Sequence, residues 1–422
     1  MEIVVPKAEN VDFRITAPPS KSYTHRAFIA AGLASGDSTI VDPLDSEDCA
    51  ITRNALTEMG VEFMPGRQGY LVSGSAGQLR CSDGLELDMV NSGTSLRLLA
   101  SVALLCPGRV ILTGSERMKE RPVASLVDAL NSLGGSITYL ENEGYPPVAI
   151  EGSYDGGRVA VDGRISSQYI SSLLLAAPYA SRDTEIILPG QPASRSYIDI
   201  TIEVMEMFGA DISRDEYKRF LVKSGRPYLG REYRIEGDYS SASYFFAIAA
   251  VCGGRVVVDN LNPDSRQGDR DFLSALEMMG AWVRYRHDAV VLEHDGPLDG
   301  IEIDMSSSPD SVQTLCMVAA FASSKTHITG IGHLRYKESD RIESTRQILS
   351  EMGAGVSVDD SGITIYPAPL KGATVDPGDD HRTAMSAAVL GLGAGNVRIR
   401  HAECVAKSYP GFWDALREAG LI

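Results

Sequence analysis

One unit recurs six times along this 422-residue chain, at a spacing of roughly 72 residues, longer than common solenoid repeats. It runs strand, short polar junction, Ala-rich apolar segment, second strand, and a helix that ends at glycine. The first halves run from Phe13 to Leu33, from Leu85 through Asn91-Ser92-Gly93-Thr94, and from Arg158 through Ser166-Ser167-Gln168 to Ala177. The others run from Tyr233 through Asp238 to Val251, from Ile301 through Asp310 to Ala322, and from Ala373 through Asp380-His381-Arg382 to Leu392. The second halves close on Gly60, Gly134, Gly209, Gly280, Gly353 and, truncated, Gly420. A glycine just past a helix is a C-cap at positive φ, so its recurrence has a local cause. The expected fold class is α/β, built from six βαβαββ-like units.

The junctions differ chemically, and that difference points to ligands. Ser20-Lys21-Ser22-Tyr23-Thr24-His25-Arg26 puts two hydroxyls and a lysine at a helix start, with Arg26 one turn in. Unpaired first-turn N–H groups favour an anion there. The dipole contributes only about 0.3–1 kcal/mol, so Lys21 and Arg26, at roughly 1.5–3 kcal/mol per charged hydrogen bond, would dominate. A solvated cap with two surface charges would read the same way in isolation. Gly93 lets backbone approach a ligand, Ser166, Ser167 and Gln168 offer neutral donors, and Asp310 and His381-Arg382 stand at the fifth and sixth junctions. Ordinary capping explains any single one of these. The second halves add cations. Arg121 stands directly before Pro122, read as a helix-starting proline, Lys337 and Arg341 lie four apart on one face if helical, and Lys407 follows. Gly391-Leu392-Gly393-Ala394-Gly395 ends a helix and is not a dinucleotide loop.

A net charge of −17 argues against nucleic acid or an anionic membrane as the main partner and makes clustered cations informative. Met1 to Ile15 lacks a signal-peptide pattern, and no apolar stretch is long enough to cross a bilayer. Six scattered cysteines without a Cys-x-x-Cys pair read as reduced thiols of a cytoplasmic protein. The seven histidines lack metal-ligand spacing, so no metal and no cofactor is expected.

In this order, Ser20-Lys21-Ser22…Arg26, Asn91-x-Gly93-Thr94…Arg97, Arg121-Pro122, Ser166-Ser167-Gln168, Lys337-Glu338-x-Asp340-Arg341, Asp380-His381-Arg382 and Lys407 resemble the EPSP synthase (3-phosphoshikimate 1-carboxyvinyltransferase) family, over essentially the whole chain. The resemblance implies a two-domain inside-out α/β barrel with three repeats per domain around a pseudo-threefold axis. One domain would comprise residues 1–18 plus 236–422 and the other residues 19–235, with the active site in the cleft between them. It implies a cytoplasmic monomer, acting on shikimate 3-phosphate and phosphoenolpyruvate. Lys21, Ser22, Arg26, Ser166, Ser167, Gln168, Ser194, Tyr197, Asp310 and Lys337 match phosphoshikimate contacts. Lys21, Asn91, Gly93, Arg121, Gln168, Arg341, His381, Arg382 and Lys407 match phosphoenolpyruvate contacts. Asp310 matches the base on the 5-hydroxyl, and Glu338 and Lys21 are the two candidates to protonate the methylene carbon. Gly93 also implies sensitivity to glyphosate.

Two residues depart from the family pattern: His333 where asparagine is frequent, and Leu98 where proline often follows the arginine, with a different helix tilt as the expected consequence. Two rival readings are a UDP-N-acetylglucosamine 1-carboxyvinyltransferase and a non-catalytic anion-binding repeat protein. The first typically has a loop cysteine at the position of Glu116 and Lys-Asn at Lys21-Ser22.

Overall fold

The computed structural model describes every residue, Met1–Ile422. Its contacts divide the chain into two compact units, Met1–Pro18 with Glu236–Ile422, and Pro19–Ile235. Each unit holds three sheets. Five sheets share one plan, as in Leu85–Asp88 parallel to Val110–Thr113, which pairs antiparallel with Val148–Gly152, which pairs antiparallel with Gly135–Tyr139. A parallel pair needs a crossover, and the helix Gly93–Ala103 supplies it. The six helix-terminating glycines all have positive φ, from 71° at Gly420 to 108° at Gly134 and Gly353, so a side chain there would strain the turn.

The helices at the polar junctions form the centre of each unit. Lys21–Leu33, Gly93–Ala103 and Ser167–Ala176 are buried on almost every face, as are Tyr239–Cys252, Val312–Ala319 and His381–Ala394 in the other unit. A helix buried all round needs small residues for close approach and internal partners for its hydroxyls. Ser101 Oγ donates to the Ser172 carbonyl at 2.6 Å, and Gln313 Nε2 donates to Thr383 Oγ1 at 3.0 Å. Leu98, the departure from the family pattern, is fully buried within its helix.

Strand pairing differs from chain order in two places. Phe13 to Thr16, read as the opening strand of the first repeat, lies in the strand Val11–Thr16, which pairs parallel with Gly254–Asp259 of the fourth. Tyr233 to Glu236 is the expected opening strand of the fourth; the strand observed is Glu232–Arg234, and it pairs parallel with Asp37–Val41 of the first. The chain passes from one unit to the other at Pro18-Pro19 and again near Ile235, so these two repeats exchange their first strands. The last repeat is completed from the N-terminus: Ile3–Val5, unassigned in the sequence, pairs antiparallel with Val397–Ile399.

Two local expectations are also corrected. Pro122 does not start a helix, which begins at Ala124. Its carbonyl instead accepts from Arg97 Nη2 at 3.2 Å and Tyr169 Oη at 2.5 Å. Lys337 and Arg341 do not share a helical face. Lys337 is extended (ψ −161°), whereas Arg341 opens the helix Arg341–Met352, capped by Asp340.

Candidate active site

In the Pro19–Ile235 unit, the helix Lys21–Leu33 begins without a side-chain cap, and the Ser20 hydroxyl is buried with no hydrogen-bond partner. Lys21 Nζ lies 3.1 Å from Oδ2 of Asp48, a carboxylate only 2% exposed. Arg26 is 1% exposed, and its contacts are neutral oxygens: Thr201 Oγ1 at 2.7 Å, the Ser22 carbonyl at 2.9 Å, the Tyr197 carbonyl at 3.2 Å and Ser171 Oγ at 3.4 Å. Burial pulls its pKa down to about 10. This is a desolvated cation whose protein partners carry no formal charge, a natural receptor for an anion.

The other junctions of this unit carry their own polar arrays. Arg121 is buried and donates from Nη1 to the Asn91 carbonyl at 3.0 Å and to Asn91 Oδ1 at 3.3 Å. Arg97 Nη1 donates to Gln168 Oε1 at 2.9 Å while Gln168 Nε2 donates to Thr94 Oγ1 at 2.9 Å, fixing the amide's orientation. Ser166 caps its helix by accepting from the Gln168 N–H, and Ser167 is buried beside it. Ser194 sits at φ 55°, its carbonyl accepting from the Tyr197 N–H at 3.1 Å.

In the other unit, Arg341 binds three carboxylates at once. Nε donates to Asp380 Oδ2 at 2.9 Å, Nη1 to Asp310 Oδ1 at 3.0 Å and Nη2 to Glu338 Oε2 at 2.8 Å. Burial alone would lower its pKa; Asp380, Glu338 and Asp310 more than offset this and hold it above the ordinary arginine value. Arg382 Nη2 donates to Asp310 Oδ2 at 2.9 Å, so Asp310 spans two guanidiniums. Lys407 is buried, with Nζ 3.6 Å from Asp379. His381 is buried against Asp380. His333 is also buried, and burial followed by the charge of Lys337 lowers its pKa to about 3, so it is a neutral ring at working pH.

The structure therefore gathers Asp310, Glu338, Arg341 and Arg382 into one ion-paired cluster and places Lys21, Ser22, Arg26, Ser194 and Tyr197 around the first helix start. Sequence reasoning missed Asp48 and Asp269. Asp48 follows a Ser-Glu helix start and Asp269 lies in Gln267-Gly268-Asp269-Arg270, both legible only as ordinary caps or turns. No group of three or more His, Cys, Asp or Glu residues is placed to hold a metal ion.

The sequence profile of EPSP synthase (3-phosphoshikimate 1-carboxyvinyltransferase) matches residues 5–416. The chain belongs to the EPSP synthase family. A 3-phosphoshikimate 1-carboxyvinyltransferase of Methanoculleus marisnigri is 56% identical over the full length of both chains, and one of Methanoregula boonei is 53% identical over 99% of each. Among solved structures, an EPSP synthase from Acinetobacter baumannii superposes with a TM-score of 0.82 at 27% identity, covering 100% of this chain and 98% of its own. As an EPSP synthase family member the chain is an α/β enzyme, and none of its helices is long and apolar enough to cross a membrane.

Proposed function

We propose that this chain transfers the enolpyruvyl group of phosphoenolpyruvate to the 5-hydroxyl of shikimate 3-phosphate, releasing phosphate, in the shikimate pathway to chorismate and the aromatic amino acids. The observation that supports this most directly is Asp310, a carboxylate oriented by two buried arginines, Arg341 and Arg382. Asp310 takes the hydroxyl proton as the oxygen attacks C2 of phosphoenolpyruvate, and Glu338 or Lys21 delivers a proton to the methylene carbon. The adduct then loses phosphate and one methyl proton, which restores the vinyl group.

Ser22, Arg26, Ser166, Ser167, Gln168, Ser194, Tyr197 and Lys337 hold the phosphoshikimate in this reading. Lys21, Asn91, Gly93, Arg121, Gln168, Arg341, His381, Arg382 and Lys407 hold phosphoenolpyruvate. Two phosphates and two carboxylates need several fixed cations, and these sets supply them. We take the two compact units as the enzyme's two domains, and the enzyme as a cytoplasmic monomer. The test is phosphate release from phosphoenolpyruvate: it is expected with shikimate 3-phosphate and not with UDP-N-acetylglucosamine, and the opposite preference would refute the assignment.

A further inference from the structure

A base held by two guanidiniums has a chemical difficulty. Each positive charge stabilises the carboxylate and weakens its hold on a proton, yet a general base works best with a proton affinity near the operating pH. Something near Asp310 must oppose Arg341 and Arg382.

Asp269 stands in the right place. It lies in the single 3-10 turn Gly268–Arg270 and is 3% exposed. The turn is tied to the Asp310 junction because Ser308 Oγ donates to the Gly268 carbonyl at 2.6 Å. On its other side, Ser240 Oγ donates to Asp269 Oδ2 at 2.7 Å, from the first turn of the helix Tyr239–Cys252. Gln267 clamps the loop. Its Oε1 accepts from the Tyr239 N–H at 3.0 Å and its Nε2 donates to the Gly237 carbonyl at 2.8 Å. The charged groups facing Asp269 are Asp310, Arg382 of the helix His381–Ala394, and Asp238, which caps the helix Tyr239–Cys252. Those facing Asp310 include Arg341 and Arg382, with His333 and Tyr244 near by.

We propose that Asp269 is a positioning residue for proton abstraction, a second buried carboxylate behind Asp310 that opposes the two arginines and raises the basicity of Asp310. The inference rests on the reading of Asp310 as the base. The electrostatics agree with the geometry, since burial and then the charge of Asp310 push the Asp269 carboxyl up to about 6. The two carboxylates form one interacting pair, and the proton taken up first belongs to the pair. With Asp269 made neutral, Asp310 is left with the arginines and binds its proton only at lower pH.

The experiment is the pH dependence of kcat/KM for phosphoenolpyruvate in Asp269→Asn, Asp269→Glu, Ser240→Ala and Asp310→Asn. Asp269→Asn is expected to move the acid limb to lower pH by about one unit and to lower the plateau by roughly three- to tenfold, because the base is weaker. Asp269→Glu keeps the charge and is expected to keep the wild-type limb. Ser240→Ala removes a donor that favours the ionised carboxylate, so its limb is expected to move toward higher pH. Structural damage alone would not drive Asp269→Asn and Ser240→Ala in opposite directions, and Ser240→Ala carries the test if Asp269→Asn fails to fold. An acid limb unmoved in both variants, with Asp310→Asn inactive, overturns the role of Asp269 while leaving Asp310 as the base. Near-wild-type turnover in Asp310→Asn overturns both.

Discussion

Gly93 touches the guanidinium of Arg121: a Cβ built on the glycine would stand 2.4 Å from Arg121 Nη2 and 2.6 Å from its Cζ. The glycine therefore serves a side chain of its own protein as well as any ligand. The guanidinium is buried and bonded to Asn91, so it can yield to a methyl group only by giving up that position.

Glyphosate is expected to inhibit competitively with phosphoenolpyruvate, since its phosphonate and carboxylate suit the same cations. Gly93→Ala then displaces Arg121, which the proposed reading assigns to both ligands, and should narrow the space beside it, which the longer one would feel more. Overpacking of about 1–3 kcal/mol corresponds to roughly 5- to 150-fold. The variant should raise the glyphosate inhibition constant within that range and the KM for phosphoenolpyruvate by less. Inhibition measured across phosphoenolpyruvate concentrations checks this, and equal effects on the two ligands would remove the steric argument.

Asp310→Asn should slow turnover by about 10²–10⁴ while phosphoshikimate binding stays within roughly tenfold. The ion pairs add a sharper expectation. Asp310 competes with any incoming anion for Arg341 and Arg382, so the amide should leave phosphoenolpyruvate binding unchanged or tighter. Calorimetric titration of the inactive variant reads this directly, and a large loss of affinity would count against the competition.

Glu338 is bonded to the same guanidinium as Asp310, whereas Lys21 pairs with Asp48. If Glu338 delivers the proton to the methylene carbon, Glu338→Gln should stop deuterium from solvent entering that carbon during turnover or partial reaction. Retained exchange in Glu338→Gln would assign the step to Lys21.

The fold class was readable because its signals are local: helix-ending glycines at positive φ and apolar segments at fixed spacing. Strand exchange was not readable, since periodicity says nothing of which strand Val11–Thr16 or Ile3–Val5 will join. The same limit applies to charge. Asp310, Glu338, Arg341 and Asp380 lie up to 70 residues apart in sequence, and nothing in their spacing shows that one guanidinium holds three carboxylates. A Lys-to-Arg run that looks like a solvated surface stretch thus contains an arginine only 2% exposed.

His25 is wholly buried, with Nδ1 bonded to Thr52 Oγ1 at 2.7 Å and Nε2 without a partner. Burial, then Lys21 and Arg26, hold its pKa well below the usual value. The folded state thus binds fewer protons than the unfolded chain below about pH 6.5, and stability is lost as pH falls from there, by up to about 1.4 kcal/mol per unit for each such histidine. His333, lowered to about 3, acts in the same direction. Urea unfolding at pH 7 and pH 5 should show a smaller acid penalty in His25→Asn than in wild type, by about 1–2 kcal/mol. An equal penalty would mean that His25 does not couple folding to pH.

Arg26 offers the cleanest separation of binding from folding. Its cationic fork is buried among neutral oxygens from Ser22, Ser171, Tyr197 and Thr201, so removing the charge orphans no carboxylate. Arg26→Lys keeps the charge but loses the planar fork, and at roughly 1.5–3 kcal/mol per charged hydrogen bond it should weaken shikimate 3-phosphate by about 10- to 150-fold. Arg26→Met should keep the native circular dichroism spectrum and lose the rise in melting temperature that saturating shikimate 3-phosphate gives the wild type. Phosphoenolpyruvate binding, assigned to other cations, should change far less in either variant. If Arg26→Met keeps both the fold and the ligand-induced rise, Arg26 is a packing residue, and the phosphoshikimate binds elsewhere.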